Sequence, residues 1–179
     1  MLLNIFTLIL ETICGMLAGV LLLRFWMQAV RVRPPMQVAQ FTFQLSDWLV
    51  RPLRRLLPGF GGYDWASLVA AYLVALSYTA IKLWLYGVFA IDFVLLQSLI
   101  RLVHWILYGF IGLLILEVVF SWINPHAPLA PLVRALNDPL LRPLRRIVPL
   151  IGNIDFSVMV ASLLLYIALM VTASIVPLA

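Results

Sequence analysis

Apolar residues gather into four long stretches along the chain, and the segments between them carry most of the charges. The stretches cover about residues 2–27, 65–89, 104–123 and 156–176. A transmembrane helix needs about 20 mostly apolar residues to cross about 30 Å of hydrocarbon. The pattern therefore predicts an all-α membrane protein with four transmembrane helices.

Prolines and charges mark the ends of the predicted spans. Pro34 follows the first span and Pro125 follows the third, while Asp64 and Asp155 directly precede the second and fourth. An aspartate in that place can accept hydrogen bonds from the first backbone amides of a helix. We expect residues 92–101 to form a short connection between the second and third spans.

Two further segments place apolar and basic residues on opposite sides of a helix. At about 100° per residue, residues 47–57 and 138–148 each form an apolar arc opposite a basic one, and Asp47 and Asp138 stand where an N-cap would. Both segments predict a short amphipathic helix in the membrane interface, with its arginines toward lipid phosphates. The arginines are Arg51, Arg54 and Arg55 in the first segment and Arg142, Arg145 and Arg146 in the second.

The amphipathic segment is duplicated. Residues 49–58 (LVRPLRRLLP) recur as residues 140–149 (LLRPLRRIVP) at an offset of 91, and Asp64 and Asp155 fall in the same register. The proline that closes each copy is expected to end its helix.

The duplication predicts two repeats, residues 1–91 and 92–179, each with a span, an interfacial helix and a second span. Since each repeat crosses the membrane twice, both share one orientation. A pseudo-two-fold axis along the membrane normal should relate them.

Composition agrees with a membrane protein. Hydrophobic residues make up 65% of the chain and charged residues 11%, whereas soluble domains have roughly 45–50% and about 25%. The net charge of +5 favours anionic phospholipid over nucleic acid as the partner of a chain embedded in lipid. The single cysteine, Cys14, excludes a disulfide within the chain, and His104 and His126 lack the neighbours of a zinc site.

Lysine and arginine counts predict the topology. Five arginines lie between the first and second spans and four between the third and fourth, whereas the middle connection has only Arg101, with Lys82 just before it. By the positive-inside rule, both arginine-rich loops are cytoplasmic and both termini lie on the outer side.

Four charges lie within the predicted spans, where charge is costly and is usually paired or functional. Aligned by the loops that follow them, with two residues of slack, Arg24 and Glu117 occupy equivalent places in the two repeats with opposite sign, so we expect them to pair across the repeat interface. Glu11 and Lys82 should lie at comparable depth near the outer side. These charges either hold the bundle together, with long side chains reaching the headgroups, or line a polar path for ions or protons.

Several of these segments resemble one family. Residues 21–28 (LLLRFWMQ), the RPLRR sequences at 51–55 and 142–146, residues 138–143 (DPLLRP) and residues 152–157 (GNIDFS) look like the YggT family of bacterial integral membrane proteins, related to plastid YlmG-type proteins. The resemblance implies a non-enzymatic inner-membrane protein, and we expect no cofactor. It also implies an association with osmotic or ionic stress, cell division, envelope organisation or, in plastids, cytochrome assembly and nucleoid distribution.

The first repeat departs from the family pattern, since Asp47-Trp48 stands where the second repeat has Asp138-Pro139. The two segments are therefore not expected to do identical work.

Two functions remain open. The first is a membrane scaffold or assembly factor whose arginine helices bind anionic phospholipid and a membrane-protein partner. The second is a small channel or transporter, formed by a homo-oligomer because four spans leave little room for a pore. The chain has no nucleophile elbow, phosphate-binding glycine loop or paired catalytic carboxylates, so we expect no enzymatic activity.

Overall fold

A computed structural model describes residues 1–57, 59, 61–87, 90–148 and 155–175. Within these ranges the chain forms six helices, which are α1 (Leu2–Ala29), α2 (Met36–Leu56), α3 (Trp65–Leu85), α4 (Ile91–Ile123), α5 (Ala130–Arg145) and α6 (Phe156–Ile175).

Four of these helices, α1, α3, α4 and α6, are long and apolar enough to cross a membrane. This confirms the predicted all-α membrane fold with four spans. Asp64 caps α3 as expected, since its side chain accepts a hydrogen bond from the backbone amide of Ser67. Pro58, Phe89, Pro149, Gly152 and Val176, which appear in the expectations above, lie outside the described residues.

The helix α4 is longer than predicted. It has 33 residues and a length of about 50 Å at 1.5 Å per residue, so the expectation of a separate connection over residues 92–101 was wrong. Residues 91–103 contain neither glycine nor proline, and nothing in this segment breaks the helix. The connection between α3 and α4 is correspondingly short.

The amphipathic helices also begin earlier than predicted. Asp47 and Asp138 lie inside α2 and α5 rather than at their N-caps, and Pro52, Pro139 and Pro143 are inside these helices too. In α2 the buried face continues upstream through the hydroxyls of Thr42 and Ser46, which donate to the carbonyls four residues earlier. The periodic pattern of apolar residues does not include this turn, because side chains with hydroxyl groups occupy its buried positions.

Each repeat packs its amphipathic helix against its own two spans. The helix α2 contacts α1 and α3, and α5 contacts α4 and α6, while the repeats meet where α4 contacts α1 and α3. Four buried alanines of α3, Ala66, Ala70, Ala71 and Ala75, lie in the core of the first repeat, and such small residues let membrane helices approach closely.

The end of α1 also reaches the second repeat. Met27 packs with Leu132 and Leu136 of α5, and the Trp26 indole donates a 2.9 Å hydrogen bond to the Leu136 carbonyl. The first span therefore contacts both amphipathic helices.

Candidate functional site

An ionic cluster joins the end of α1 to α2 and α3. The Nη1 atom of Arg24 donates to the Ser46 hydroxyl at 2.6 Å and to an Asp47 oxygen at 2.8 Å, and its Nε lies 3.4 Å from an Asp64 oxygen. Arg54 binds the same Asp64 carboxylate, with Nη2 2.5 Å from Oδ2. We term these five side chains the first ionic cluster.

The first ionic cluster contains buried charge. Arg24 is 5% exposed and Asp64 is 3% exposed, and the Phe43 ring lies 4.8 Å from the Arg24 guanidinium carbon. The Arg24 hydrogen bond lowers the pKa of Asp47, and burial opposes it only in part. For Asp64, burial raises the pKa, but hydrogen bonds from Arg54 and Ser67 and the arginine charges outweigh burial and leave the pKa lowered.

A second ionic cluster occupies the equivalent place in the second repeat. Glu117 of α4 accepts from Asn137 at 2.7 Å and pairs with Arg145 at 2.9 Å. Arg145 also bonds Asp155 at 2.8 Å and lies 3.9 Å from Asp138. These five side chains form the second ionic cluster, which joins α4, α5 and the start of α6.

Arg145 is the hub of the second ionic cluster. Burial lowers the pKa of Arg145, but its bonds to Asp155 and Glu117 outweigh burial, so the pKa lies above its ordinary value. Burial likewise raises the pKa of Asp155, whereas hydrogen bonds from Ser157 and Arg145 outweigh that effect and lower it. The guanidinium and the carboxylate are therefore both charged near neutral pH.

The two clusters share a register but reverse one charge. Ser46 and Asn137, Asp47 and Asp138, Arg54 and Arg145, and Asp64 and Asp155 all correspond at the offset of 91. The spanning helix supplies Arg24 in the first cluster and Glu117, two residues out of this register, in the second.

The reversal gives the clusters opposite charge. Arg51 pairs with Asp47, and Arg142 pairs with Asp138. With these partners included, three arginines and two aspartates give the first cluster a formal charge of +1. Two arginines, two aspartates and Glu117 give the second a formal charge of −1.

The expected pair between Arg24 and Glu117 was wrong. Arg24 pairs with Asp47 and Asp64, and Glu117 pairs with Arg145. Each charge sits near the end of its span, where the amphipathic helix of its own repeat crosses, so a partner within the repeat is closer than one across the interface.

A further set of charges, which we term the Glu11 cluster, lies toward the opposite ends of the spans. One Glu11 oxygen pairs with Arg101 at 2.7 Å, and the other accepts from the Tyr78 hydroxyl at 3.0 Å. The Arg101 guanidinium also lies over the Tyr78 ring at 5.2 Å. Lys82 lies close enough to interact electrostatically with both Glu11 and Arg101.

The six arginines of the amphipathic helices divide into two groups. Arg54 and Arg145 belong to the ionic clusters and are held by two or more contacts to the spans. The side chains of the other four are exposed, and among the described residues they make at most one ion pair each, within their own helix. These four, Arg51, Arg55, Arg142 and Arg146, are termed the outer arginines.

Reasoning from the sequence missed the aspartate and amide partners. Asp64 and Asp155 were treated only as helix caps, although their shared register with Arg54 and Arg145, ten residues earlier in both repeats, signals a repeated ion pair. Asn137 gave no such signal, because Ser46 occupies its place in the first repeat. His104, the first residue of the predicted third span, is buried and hydrogen-bonded to Thr172 at 2.9 Å.

Comparison with known proteins places these features in a family. The CCB3/YggT family model matches residues 3–85 and 96–176, one match for each repeat. No solved structure matches the chain.

Three bacterial relatives illustrate the similarity. The chain is 32% identical to the uncharacterized protein YggT of Escherichia coli strain K12, with 96% of this chain and 91% of that protein covered. It is 37% identical to the uncharacterized protein PA0392 of Pseudomonas aeruginosa, over 88% and 82%. An uncharacterized protein of Haemophilus influenzae is 28% identical, over 86% and 83%.

The family model accounts for both repeats, and two of these relatives exceed 30% identity over most of their length. The chain therefore belongs to the CCB3/YggT family.

Proposed function

We propose that this protein is a non-enzymatic scaffold or assembly factor of the bacterial inner membrane. Its outer arginines bind anionic phospholipid at the cytoplasmic face, and its amphipathic helices contact a membrane-protein partner. The observation that carries the proposal is the division of the six arginines into two that fix the helices and four that face outward.

The fixed arginines give the helices a defined position. Arg54 and Arg145 bind carboxylates at the starts of α3 and α6, so each amphipathic helix is attached where a span begins. A cationic helix held at that level presents its side chains to lipid phosphates.

The outer arginines are available for phosphates. The side chains of Arg51 and Arg142 are 77% and 69% exposed, and their single ion pairs within a helix are worth only about 0.3–0.5 kcal/mol. A basic side chain near an anionic membrane contributes about 1 kcal/mol. Exchange of the internal aspartate for a lipid phosphate is therefore favourable.

The helix α2 offers a contact surface that α5 does not. Phe41, Leu45 and Trp48 follow one exposed stripe at helical spacing. In the second repeat the corresponding positions are Leu132 and Leu136, which are buried, and Pro139. This difference supports α2 as the segment that contacts the acyl boundary or a partner.

The experiment measures lipids that stay bound to the full chain after extraction in mild detergent. Native mass spectrometry compares bound phosphatidylglycerol with phosphatidylethanolamine in the wild type and in a variant with all four outer arginines replaced by glutamine. We expect at least a tenfold loss of anionic enrichment, since the four charges together contribute about 4 kcal/mol.

The control replaces the same four arginines by lysine, which keeps the charge and binds phosphate as a point charge. It should retain most of the enrichment. Unchanged enrichment in the glutamine variant at low salt would contradict the proposed role of the arginines. A stoichiometric complex with another membrane protein in the same spectra supports the scaffold role.

The alternative function is an oligomeric ion channel or transporter. Arg24 and Glu117 are engaged in separate clusters, which favours a structural role for both, whereas the Glu11 cluster borders a cavity. If the scaffold proposal fails, ion flux should be measured in liposomes that contain the wild type or a variant with Glu11 replaced by glutamine.

A further inference from the structure

An open groove lies where the connection between α1 and α2 faces the start of α5. Its volume is about 300 Å³, and it is lined by residues 32–35 from the first repeat and by Pro128, Pro131 and Leu132 from the second. Binding sites for small molecules have volumes of about 300–1,000 Å³, so the groove reaches the size of a ligand site. We term it the connection groove.

The walls of the connection groove are mostly apolar. Four of its seven lining residues are prolines, which have no backbone N–H to donate. Val32 and Leu132 also belong to the apolar contact that α1 makes with α5. An occupant must therefore offer these walls an apolar part, which a free inorganic anion does not have.

The rim of the connection groove is cationic. Arg33 is exposed, and its side chain makes no ion pair or hydrogen bond with another described residue. Arg134 follows Pro131 by three residues, so it lies on the same face of α5, and it too is exposed and without an ion pair in the described part of the chain. Residues 28–46 and 118–137 contain no aspartate or glutamate, so these segments supply no carboxylate for either arginine.

The connection groove lies just beyond the ends of two spans. Trp26 and Trp122 each precede the first groove residue of their own connection by six positions. Tryptophans at span ends are enriched at the level of the lipid headgroups, and Trp122 is 82% exposed. The molecules that meet the groove at this level are therefore phospholipids.

The duplicated positions do not repeat the chemistry of the groove. At the offset of 91, Asn124 stands in place of Arg33, and Phe43 stands in place of Arg134. Glutamines stand at the positions that match the two groove prolines of the second repeat. The cations and the proline walls therefore occur together in one place only.

We propose that the connection groove binds the headgroup of one anionic phospholipid. Its phosphate lies against Arg33 and Arg134, and its glycerol and first methylene groups lie against the proline walls. Basic pockets between membrane helices on the cytoplasmic side are known sites for anionic headgroups. The inference deepens the function proposed above and rests on its lipid-binding part, but it uses two arginines that are not among the outer arginines.

The test titrates lipid onto the purified full chain after removal of its own lipids in a non-ionic detergent. Native mass spectrometry counts the bound molecules of phosphatidylglycerol or phosphatidylethanolamine per chain at each concentration. We expect one phosphatidylglycerol to bind saturably and at least tenfold more tightly than phosphatidylethanolamine. Inorganic phosphate should not displace it, because phosphate cannot contact the apolar walls.

Three variants locate the bound lipid. The double variant Arg33→Gln/Arg134→Gln changes two exposed residues, so it should fold and bind the first phosphatidylglycerol at least tenfold more weakly. The double variant with lysine at both positions should bind it nearly as the wild type does. Arg31→Gln is the matched control, since the Arg31 side chain extends to within 3.9 Å of a methyl group added at Gly62 and does not line the groove.

A variant without the outer arginines separates this proposal from the function proposed above. The earlier measurement follows the preference among all lipids carried through extraction, whereas the titration follows only the first lipid. Glutamine at the four outer positions should leave the affinity for the first phosphatidylglycerol within about threefold of the wild type. A tenfold loss in this variant would assign the first lipid to the outer arginines and overturn the groove site alone.

Three other results would overturn the proposal. One is a wild type that binds phosphatidylglycerol and phosphatidylethanolamine equally. Another is an equal loss of affinity in Arg31→Gln and in the glutamine double variant, which means that only the net charge matters. The third is displacement of the lipid by a poly-glutamate peptide at a lower concentration than the lipid itself, which would assign the groove to an acidic protein segment.

Discussion

At the scale of single residues, the buried charges of the first ionic cluster determine how α1 holds its neighbours. Arg24 faces two aspartates from different helices. Two ions taken out of water stabilise a fold only when each keeps its partners. Removal of one partner is therefore more damaging than the loss of a surface ion pair.

We predict that Arg24→Gln lowers the free energy of unfolding by about 3–5 kcal/mol, because it leaves the Asp64 carboxylate buried with fewer partners. Unfolding in a denaturing detergent measures the effect. The double variant Arg24→Gln/Asp64→Asn should lose less free energy of unfolding than the sum of the losses of the two single variants, since substitutions at contacting residues are not additive. Strict additivity would show that the 3.4 Å approach contributes nothing.

Acid should weaken both ionic clusters. The pKa values of Asp64 and Asp155 are lowered below 3.8 in the folded state. A group with a lowered folded pKa contributes stability that is present above its unfolded value and is lost as pH falls through its folded value.

We therefore predict that the unfolding midpoint is steady near neutral pH and falls below about pH 4. The variant with Asp64→Asn and Asp155→Asn should have a lower unfolding midpoint than the wild type at pH 7. Its midpoint should fall less than that of the wild type on acidification. Thermal unfolding from pH 7 to pH 3 measures both. An equally steep acid loss in the variant would assign the transition to other carboxylates.

Helical periodicity in the sequence was enough to predict which arginines are exposed, but it did not reveal which residues pair with the buried charges. Helical periodicity predicted that the outer arginines lie on the face opposite the apolar one, and the exposure of Arg51 and Arg142 agrees with this prediction. The partners of Arg24 depend on where α2 crosses α1. The turn of α2 that meets Arg24 buries Thr42 and Ser46, and its hydroxyl side chains give no apolar signature.

At the scale of helices, Arg54 and Arg145 add ion pairs to the apolar packing that holds the amphipathic helices against the spans. Arg145 contacts α4 and the residue that precedes α6, whereas Arg142 contacts only its own helix. Arg145 therefore connects α5 to the spans, whereas Arg142 does not.

We predict that Arg145→Gln raises amide hydrogen exchange in α5 and the first turn of α6 by about tenfold or more, because α5 loses the ion pairs of Arg145 with Glu117 and Asp155. Arg142→Gln serves as the control. It should change exchange less than about threefold, since exposed pairs within a helix contribute about 0.3–0.5 kcal/mol. Equal effects of the two substitutions would contradict the division of roles.

Close packing between the repeats involves Gly15 of α1. A methyl group added at Gly15 would lie 3.6 Å from the Trp105 indole of α4, whereas one added at Gly19 would meet no described atom within 4 Å. We predict that Gly15→Leu destabilises the protein by about 1–3 kcal/mol through overpacking. The matched Gly19→Leu should be nearly neutral, and unfolding measurements that rank the two variants in the opposite order would contradict the packing.

At the scale of the whole molecule, the fold presents its amphipathic helices and both ionic clusters at one end of the spans. The Glu11 cluster lies toward the other end. Length and apolar content were enough to predict the four spans, because the membrane leaves few alternatives to helices of that length. The continuation of α4 through residues 91–103 was missed, because Asp92 and Arg101 were taken as the ends of a connection, although the residues between them are apolar except for Gln97 and Ser98.

The positive-inside rule predicts that the arginine-rich end faces the cytoplasm. In a background in which Cys14 is replaced by alanine, a cysteine at position 55 should react with an impermeant maleimide only after the cells are opened. A cysteine at position 92 should react in intact cells. The reverse labelling pattern would show that the topology is opposite to the predicted one and that the outer arginines lie outside the cell.

The charge reversal between Arg24 and Glu117 limits which parts of the two halves could be interchanged. Each of these charges is matched by residues of its own half, Arg24 by Asp47 and Asp64 and Glu117 by Arg145. A swap of the two charged residues alone would therefore set a carboxylate beside two aspartates in one half and a guanidinium beside Arg145 in the other. A whole half, in contrast, would carry its matching partners with it.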